Sequence, residues 1–297
     1  MSSLSFPSST LETPSVGDYI DLLKPRVMSL VVFTSITGLI TAPGKIHPII
    51  ALIAILSTAI AGGAAGCLNM WWEADLDRKM ERTKNRPLPR GAIDPDSALA
   101  FGIILALGSV FLMAIAVNYL SAFLLMFTIF FYIVVYTIIL KPRTPHNIVI
   151  GGLAGALPPL IGWTAVTGEI NLPPLIMVAI IFFWTVPHFW ALALVKAKDY
   201  AQANIPMMPN THGPLSTKKQ MFFYTVLTVL CASTLWIIGF SGLFFLTISL
   251  GLGSVFLYLS YALIAREKGH EMRLFTYSIF YLFALFLSII IDQRIFL

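Results

Sequence analysis

The chain has 297 residues, 58% of them hydrophobic and only 11% charged, with a mean hydropathy of +0.85. These values exclude an ordinary water-soluble domain and point to no nucleic-acid partner; the class that fits is all-α, a polytopic helical bundle in the lipid bilayer. The formal charge of +5 is informative only through its distribution, and Cys67 and Cys231, in separate apolar runs, read as small hydrophobes rather than as a disulfide or thiolate site.

Residues 1 to about 22 are polar, rich in Ser, Thr and Pro, and carry Glu12, Asp18 and Asp21 without any Lys or Arg. That pattern matches neither a signal nor a transit peptide; it predicts a disordered start leading into a short interfacial segment, with a single membrane domain over 23–297. After Lys24-Pro25-Arg26 come nine apolar runs, at about 27–43, 48–72, 97–117, 120–140, 147–167, 173–195, 221–240, 243–265 and 273–291. Each reaches the roughly 17 to 25 residues that a spanning helix needs. With nine spans, all of the 19 Lys and Arg except Lys45 and Arg294 fall on one side, so the N-terminus is expected in the cytoplasm and the C-terminus outside. The long polar loops 73–96 and 196–220 then share the cytoplasmic face, where they are placed to close over one cavity. Gly62 with Gly66 and Gly151 with Gly155 form small-xxx-small pairs, read as close packing. Pro158, Pro159 and Pro187 predict kinks within their spans.

The second run ends in NMWWEADLDRKMERTKNRPL, residues 69–88. If the helix continues through it, Asn69, Glu73 and Asp77 stand at i, i+4 and i+8 and drift only about 40° per step along one face, while Asp75 points elsewhere. Two carboxylates and a carboxamide with no His or Cys beside them suit a hard ion such as Mg²⁺, which binds jointly to carboxylates and phosphates. The cations that follow suit a polyanion, although positive-inside bias accounts for them equally well. A solvated helix end remains the competing reading of the acids.

The sixth run and its loop hold a second polar cluster. Asp199 lies just past the end of that span, so two helices deliver acids to one side; the plainer alternative pairs it with Lys196 or Lys198. His188 sits 11 residues earlier, roughly 16 Å deeper on a helix, where an ionisable group is a functional candidate. Its structural alternative is a neutral ring bonded to a carbonyl freed by Pro187.

At this point a resemblance can be stated on particular segments: LLKPRVMSL at 22–30, the stretch from Asn69 that ends in ERTKNRPLPRG, YTIILKPRTPHNIVIGGLAGALPPLIGW at 136–163, and VPHFWALAL with DYAQANIPMMP over 186–209. With them the chain, beyond about Asp18, resembles the UbiA family of intramembrane prenyltransferases, and RTKNRPL and NIVIGG resemble its haem-modifying branch. The resemblance implies a nine-helix bundle in a bacterial inner membrane. Its cytoplasmic cavity would bind farnesyl diphosphate with Mg²⁺ and transfer the farnesyl group to a vinyl of haem B. It also implies a complex with downstream haem-modifying or oxidase-assembly proteins. By position, Asn69, Glu73 and Asp77 match the family's first acidic motif, with Glu73 where many relatives have Asp; Asp199 matches the second, where the wider family has several acids and this loop has one.

The chemistry follows from charge, because an allylic diphosphate ionises when the charge growing on its leaving group is neutralised. Lys141 and Arg143, with Arg82, Lys84 and Arg86, are the expected diphosphate contacts. Tyr136 is expected to offer a polarisable face to the allylic cation, and His188 to contact haem, whose iron takes neutral imidazole as an axial ligand. Two other classes fit less well. A transporter would place its charges near the bilayer midplane rather than at one face. A prenyltransferase acting on a quinone precursor or chlorophyllide would share the diphosphate machinery and differ only in its acceptor pocket.

Overall fold

Residues 14–265 and 269–296 are described by the computed structural model of the chain. The first part of the expected disordered start, residues 1–13, lies outside them, as do Arg266, Lys268 and Leu297. The chain enters with α1 (Val16–Leu22), started by a capping box in which Ser15 and Asp18 bond reciprocally. Lys24, in the left-handed region at φ 52°, turns the chain by 53° into α2 (Pro25–Thr41). There follow α3 (Pro48–Trp72), the short α4 (Ala74–Arg78), α5 (Pro95–Ala116) and α6 (Tyr119–Phe130), which runs on as a π-helix over Phe131–Leu140. Next are α7 (Asn147–Ala156), α8 (Pro158–Thr167), α9 (Leu172–Val195), α10 (Ala197–Gln202), α11 (Met208–Thr211), α12 (Pro214–Ile237), α13 (Leu243–Ala265) and α14 (Glu271–Ile291).

Among the described residues eight spans are long and apolar enough to cross a bilayer, and a ninth if α1 and α2 are taken together as one bent span. The multi-pass bundle expected from the apolar runs is therefore present. Proline sets several of its boundaries, opening α2, α3, α5, α8 and α12, because the first turn has no use for the missing N–H. One boundary is corrected: the seventh span begins at Pro214 instead of about 221, since the polar stretch Ser216–Gln220 is helical even though it is not apolar.

The span made of α7 and α8 is the most enclosed, with 78% of its apolar window buried against 17% for Tyr119–Leu140. Its break falls at Leu157, where Pro158 and Pro159 cannot continue the hydrogen-bond ladder; α9, in contrast, stays helical through Pro187. α8 lies directly on α2. A Cβ on Gly38 would stand 1.9 Å from the Pro159 carbonyl oxygen, and one on Gly162 would stand 2.0 Å from that of Ser35, so only glycine permits this approach. At the far end of the bundle the carboxylate of Asp292, after α14, accepts from the amides of Gly242 (2.5 Å) and Phe245 (3.1 Å) and so caps α13. Besides the main core, a small apolar cluster of Leu22, Cys67, Met70, Leu88, Ile93 and Ala98 ties α1 to α3 and to the loop before α5.

Candidate active site

α3 does not continue unbroken through the acidic stretch. It ends at Trp72, Glu73 leaves helical geometry (φ −95°, ψ 10°), and α4 resumes one residue later. The ladder nonetheless carries across, with the Glu73 amide bonded to the Asn69 carbonyl (3.0 Å) and that of Asp77 to the Glu73 carbonyl (2.7 Å). Asn69, Glu73 and Asp77 consequently stay on one face, at 4%, 5% and 2% exposure, while Asp75 turns out to solvent and pairs with Arg78.

Buried charge is costly unless matched, and each member of this trio is matched. Lys141 donates to both carboxylate oxygens of Glu73, at 2.5 and 2.6 Å. Arg86 donates to Asp77 Oδ2 at 2.6 Å, while the buried Thr83 hydroxyl holds the Asp77 carbonyl. The Asn69 carboxamide is oriented from both ends: its Oδ1 accepts from Lys24 Nζ (2.8 Å) and its Nδ2 donates to Thr137 Oγ1 (3.1 Å). The Thr137 hydroxyl in turn donates to the Tyr132 carbonyl five residues back, within the π-helix over Phe131–Leu140, whose end the Lys141 amide closes by a bond to the Tyr136 carbonyl (2.9 Å). That wider turn faces Tyr136, Thr137 and Lys141 toward the end of α3, and π-turns recur at functional sites.

The other residues singled out from sequence divide. Tyr136 stacks on Tyr132 (5.5 Å between ring centroids) and lies flat on Gly151, where a Cβ would stand 2.2 Å from the ring. Arg82 lies beside the Tyr200 hydroxyl on α10; burial pushes that phenol's pKa up, and the Arg82 charge partly offsets the rise. α10 also carries Asp199, whose Oδ2 is buried without a hydrogen-bond partner. Lys196 and Lys198 form no ion pair with it among the described residues, so the plainer reading of Asp199 loses its support. Lys84 turns instead to the exposed Glu81 (2.6 Å), and Arg143 donates to the carbonyls of Ile138 and Ile139 at the end of its own helix. These two are not brought to the carboxylates.

His188 lies elsewhere. Its ring is held between Trp184 (4.4 Å, 15°) and Phe275 (4.6 Å, 19°), and its Nδ1 is 2.7 Å from Ser278 Oγ on α14. The partner is a hydroxyl of another helix, not a carbonyl freed by Pro187. Four neighbours of the site carried no legible signal: Lys24 read as a topological charge, and Thr137, Tyr132 and Tyr200 are ordinary residues until the π-turn and α10 place them.

Among the described residues no three of His, Cys, Asp and Glu converge into a closed metal cage. Two carboxylates and a carboxamide, all oxygen donors, nevertheless fit a Mg²⁺ ion that arrives with phosphate ligands, because such an ion takes only one or two carboxylates from the protein. The unpartnered Asp199 oxygen agrees with an incoming cation on the facing loop.

Residues 30–289 match the profile of the UbiA prenyltransferase family. The chain belongs to that family. A curated relative from Rhizobium johnstonii, named protoheme IX farnesyltransferase, is 51% identical over 95% of this chain and 91% of its own length. A solved structure concerned with digeranylgeranylglyceryl phosphate synthase in membranes superposes with a TM-score of 0.78 at 17% identity, covering 94% of this chain and 98% of the other. A UbiA homolog from Archaeoglobus fulgidus bound to GPP and Mg2+ gives a TM-score of 0.69 at 16% identity, covering 92% and 99%. At those identities the solved structures establish the UbiA fold, and the residues of this chain carry the rest.

Proposed function

We propose that this UbiA-family chain transfers the farnesyl group of farnesyl diphosphate to a vinyl group of haem B, giving haem O. The observation that carries the reading is the pair of buried carboxylates four residues apart, Glu73 and Asp77, each clasped by a cation. They lie in a chain half identical, along nearly all its length, to a relative named protoheme IX farnesyltransferase. Lys141, Arg86 and Arg82, with Lys84 and Arg143 nearer the rim, bind the oxygens of the diphosphate. Held by Asn69, Glu73 and Asp77, and by Asp199 from the facing loop, Mg²⁺ would supply neutralisation of the charge that builds on the leaving group.

Tyr136 and Tyr132 present their rings to the allylic cation, and closure of the two cytoplasmic loops keeps water from it. The C–O bond to diphosphate breaks with its electron pair on oxygen. A vinyl carbon of haem B then forms the new C–C bond, and water adds to the cationic carbon beside the porphyrin and releases a proton. His188 takes the haem side of the cavity. The catalytic domain spans 23–297 in a bacterial inner membrane with the N-terminus cytoplasmic, and hands its product to downstream haem-modifying or oxidase-assembly proteins.

The test is incubation of the purified protein with haem B, farnesyl diphosphate and Mg²⁺. A product with the mass of hydroxyethylfarnesyl haem, lost on chelation, is expected. Transfer to a quinone precursor or chlorophyllide with none to haem overturns the proposal.

A further inference from the structure

α1 lies across the rim of the site and touches it at both ends. Toward its start, Asp18 is buried, and its carboxylate is fully used: Oδ2 accepts from the Ser15 amide (2.8 Å) and hydroxyl (2.7 Å), and Oδ1 accepts from Arg90. Arg90 closes the loop that carries the site's cations. Its amide bonds to the Arg86 carbonyl (3.1 Å), the Arg86 amide bonds to the Thr83 carbonyl (3.0 Å), and Thr83 and Arg86 both hold Asp77. At its other end Leu22, fully buried, packs with Leu88 and Ile93 of the same loop, and Lys24 reaches Asn69. Tyr19 adds an edge-on contact to Phe101 of α5. The outward face, Val16 and Ile20, is exposed and apolar, as expected of a helix lying at the membrane interface.

We propose that Asp18 and Arg90 are positioning residues. Their ion pair latches α1 onto the 79–94 loop and so holds Arg82 and Arg86 at the spacing that binds the diphosphate. The latch acts on affinity for the prenyl diphosphate rather than on the transfer step, because neither side chain touches the Glu73 or Asp77 carboxylate. The proposal rests on the prenyl-transfer reading for its substrate, and its mechanics stand on the contacts alone. Arg90 is 43% exposed on its side chain, and after its neutral substitution the Asp18 carboxylate keeps both hydrogen bonds from Ser15, so the cap of α1 persists.

The test is steady-state kinetics of the full-length protein in lipid nanodiscs, together with calorimetric binding of inorganic pyrophosphate in Mg²⁺. Arg90→Gln is expected to raise the KM for farnesyl diphosphate and the Kd for pyrophosphate by about 3- to 10-fold, the size of a half-exposed ion pair, with kcat and the KM for haem B nearly unchanged. Arg90→Lys is expected to restore most of the loss. In an Asp18→Asn background, Arg90→Gln is expected to add nothing, since the pair is already broken. Unchanged KM and Kd overturn the proposal, as does a full additional effect of Arg90→Gln on Asp18→Asn, which would mean that Arg90 meets the diphosphate directly. A fall in kcat and melting temperature with KM unmoved also overturns it. A wild-type protein that binds pyrophosphate but makes no haem product removes the transfer reading, while the pyrophosphate arm still decides the latch.

Discussion

Glu73 is buried and paired with the largely buried Lys141 at 2.5 Å, and removing one partner of a buried pair costs about 3–5 kcal/mol because the other is left unmatched. If the carboxylates serve a metal and the cations serve a diphosphate, Glu73→Gln and Asp77→Asn should each lower farnesyl transfer at least about 100-fold, the scale for loss of a preorganised charge. The protein should remain folded in the membrane, checked by product mass and by size-exclusion chromatography. Full activity in either variant with Mg²⁺ limiting would refute the assignment. His188 has two roles open to it, and one variant separates them. With both ring faces covered and Nδ1 beside Ser278, a packing role predicts that His188→Ala costs stability by about 2–4 kcal/mol, on the order of other large-to-small core changes. A haem contact predicts a raised KM for haem B and an altered Soret band, with the KM for farnesyl diphosphate unmoved.

At the scale of elements, two local departures from the α-helix build the site. The break at Glu73 separates α4 from α3 without losing the shared face, and the π-helix of 131–140 brings Thr137 to Asn69 and leads to Lys141 on Glu73. The second depends on α7, because Tyr136 has a place to lie only where Gly151 lacks a side chain. Gly151→Ala should accordingly force the ring aside, lowering transfer and costing about 1–3 kcal/mol by overpacking. Gly155→Ala, where a Cβ meets nothing within 4 Å, should be neutral in both respects. Thermal melts and turnover of the two variants side by side check this; equal effects would deny Gly151 its role under Tyr136. The two glycines of this one small-residue pair are thus unlike in function, since what lies opposite a glycine is not written beside it.

Across the whole molecule, the distribution of cations makes a topological statement. A nine-span count of the sequence assigns every Lys and Arg but Lys45 and Arg294 to the side that carries Asn69, Glu73 and Asp77, and the positive-inside bias would then turn that side to the cytoplasm. A reporter fused after Ile93 should read cytoplasmic and one fused after Leu297 external. A cytoplasmic C-terminus would mean that α1 and α2 do not form a span, leaving the eight that qualify unaided.

The sequence by itself determined the bundle, its spans and the first acidic motif. Apolar runs of bilayer length permit only a helix, because lipid offers no partners to a free backbone, and the i, i+4, i+8 spacing survives a one-residue break. Clustered acids and cations at one span end were visible for the same reason, as composition is local. Tertiary structure alone decided which cation meets which acid: Lys141 on Glu73 across 68 residues, Arg86 on Asp77, and Lys24, otherwise a topological charge, on Asn69. It alone turned Lys84 and Arg143 away from the carboxylates, and it left an Asp199 oxygen without a partner. Pairings of that kind depend on helix crossings and on the hydrogen-bond register of a π-turn, and neither leaves a period or a composition in the chain from which it could be read.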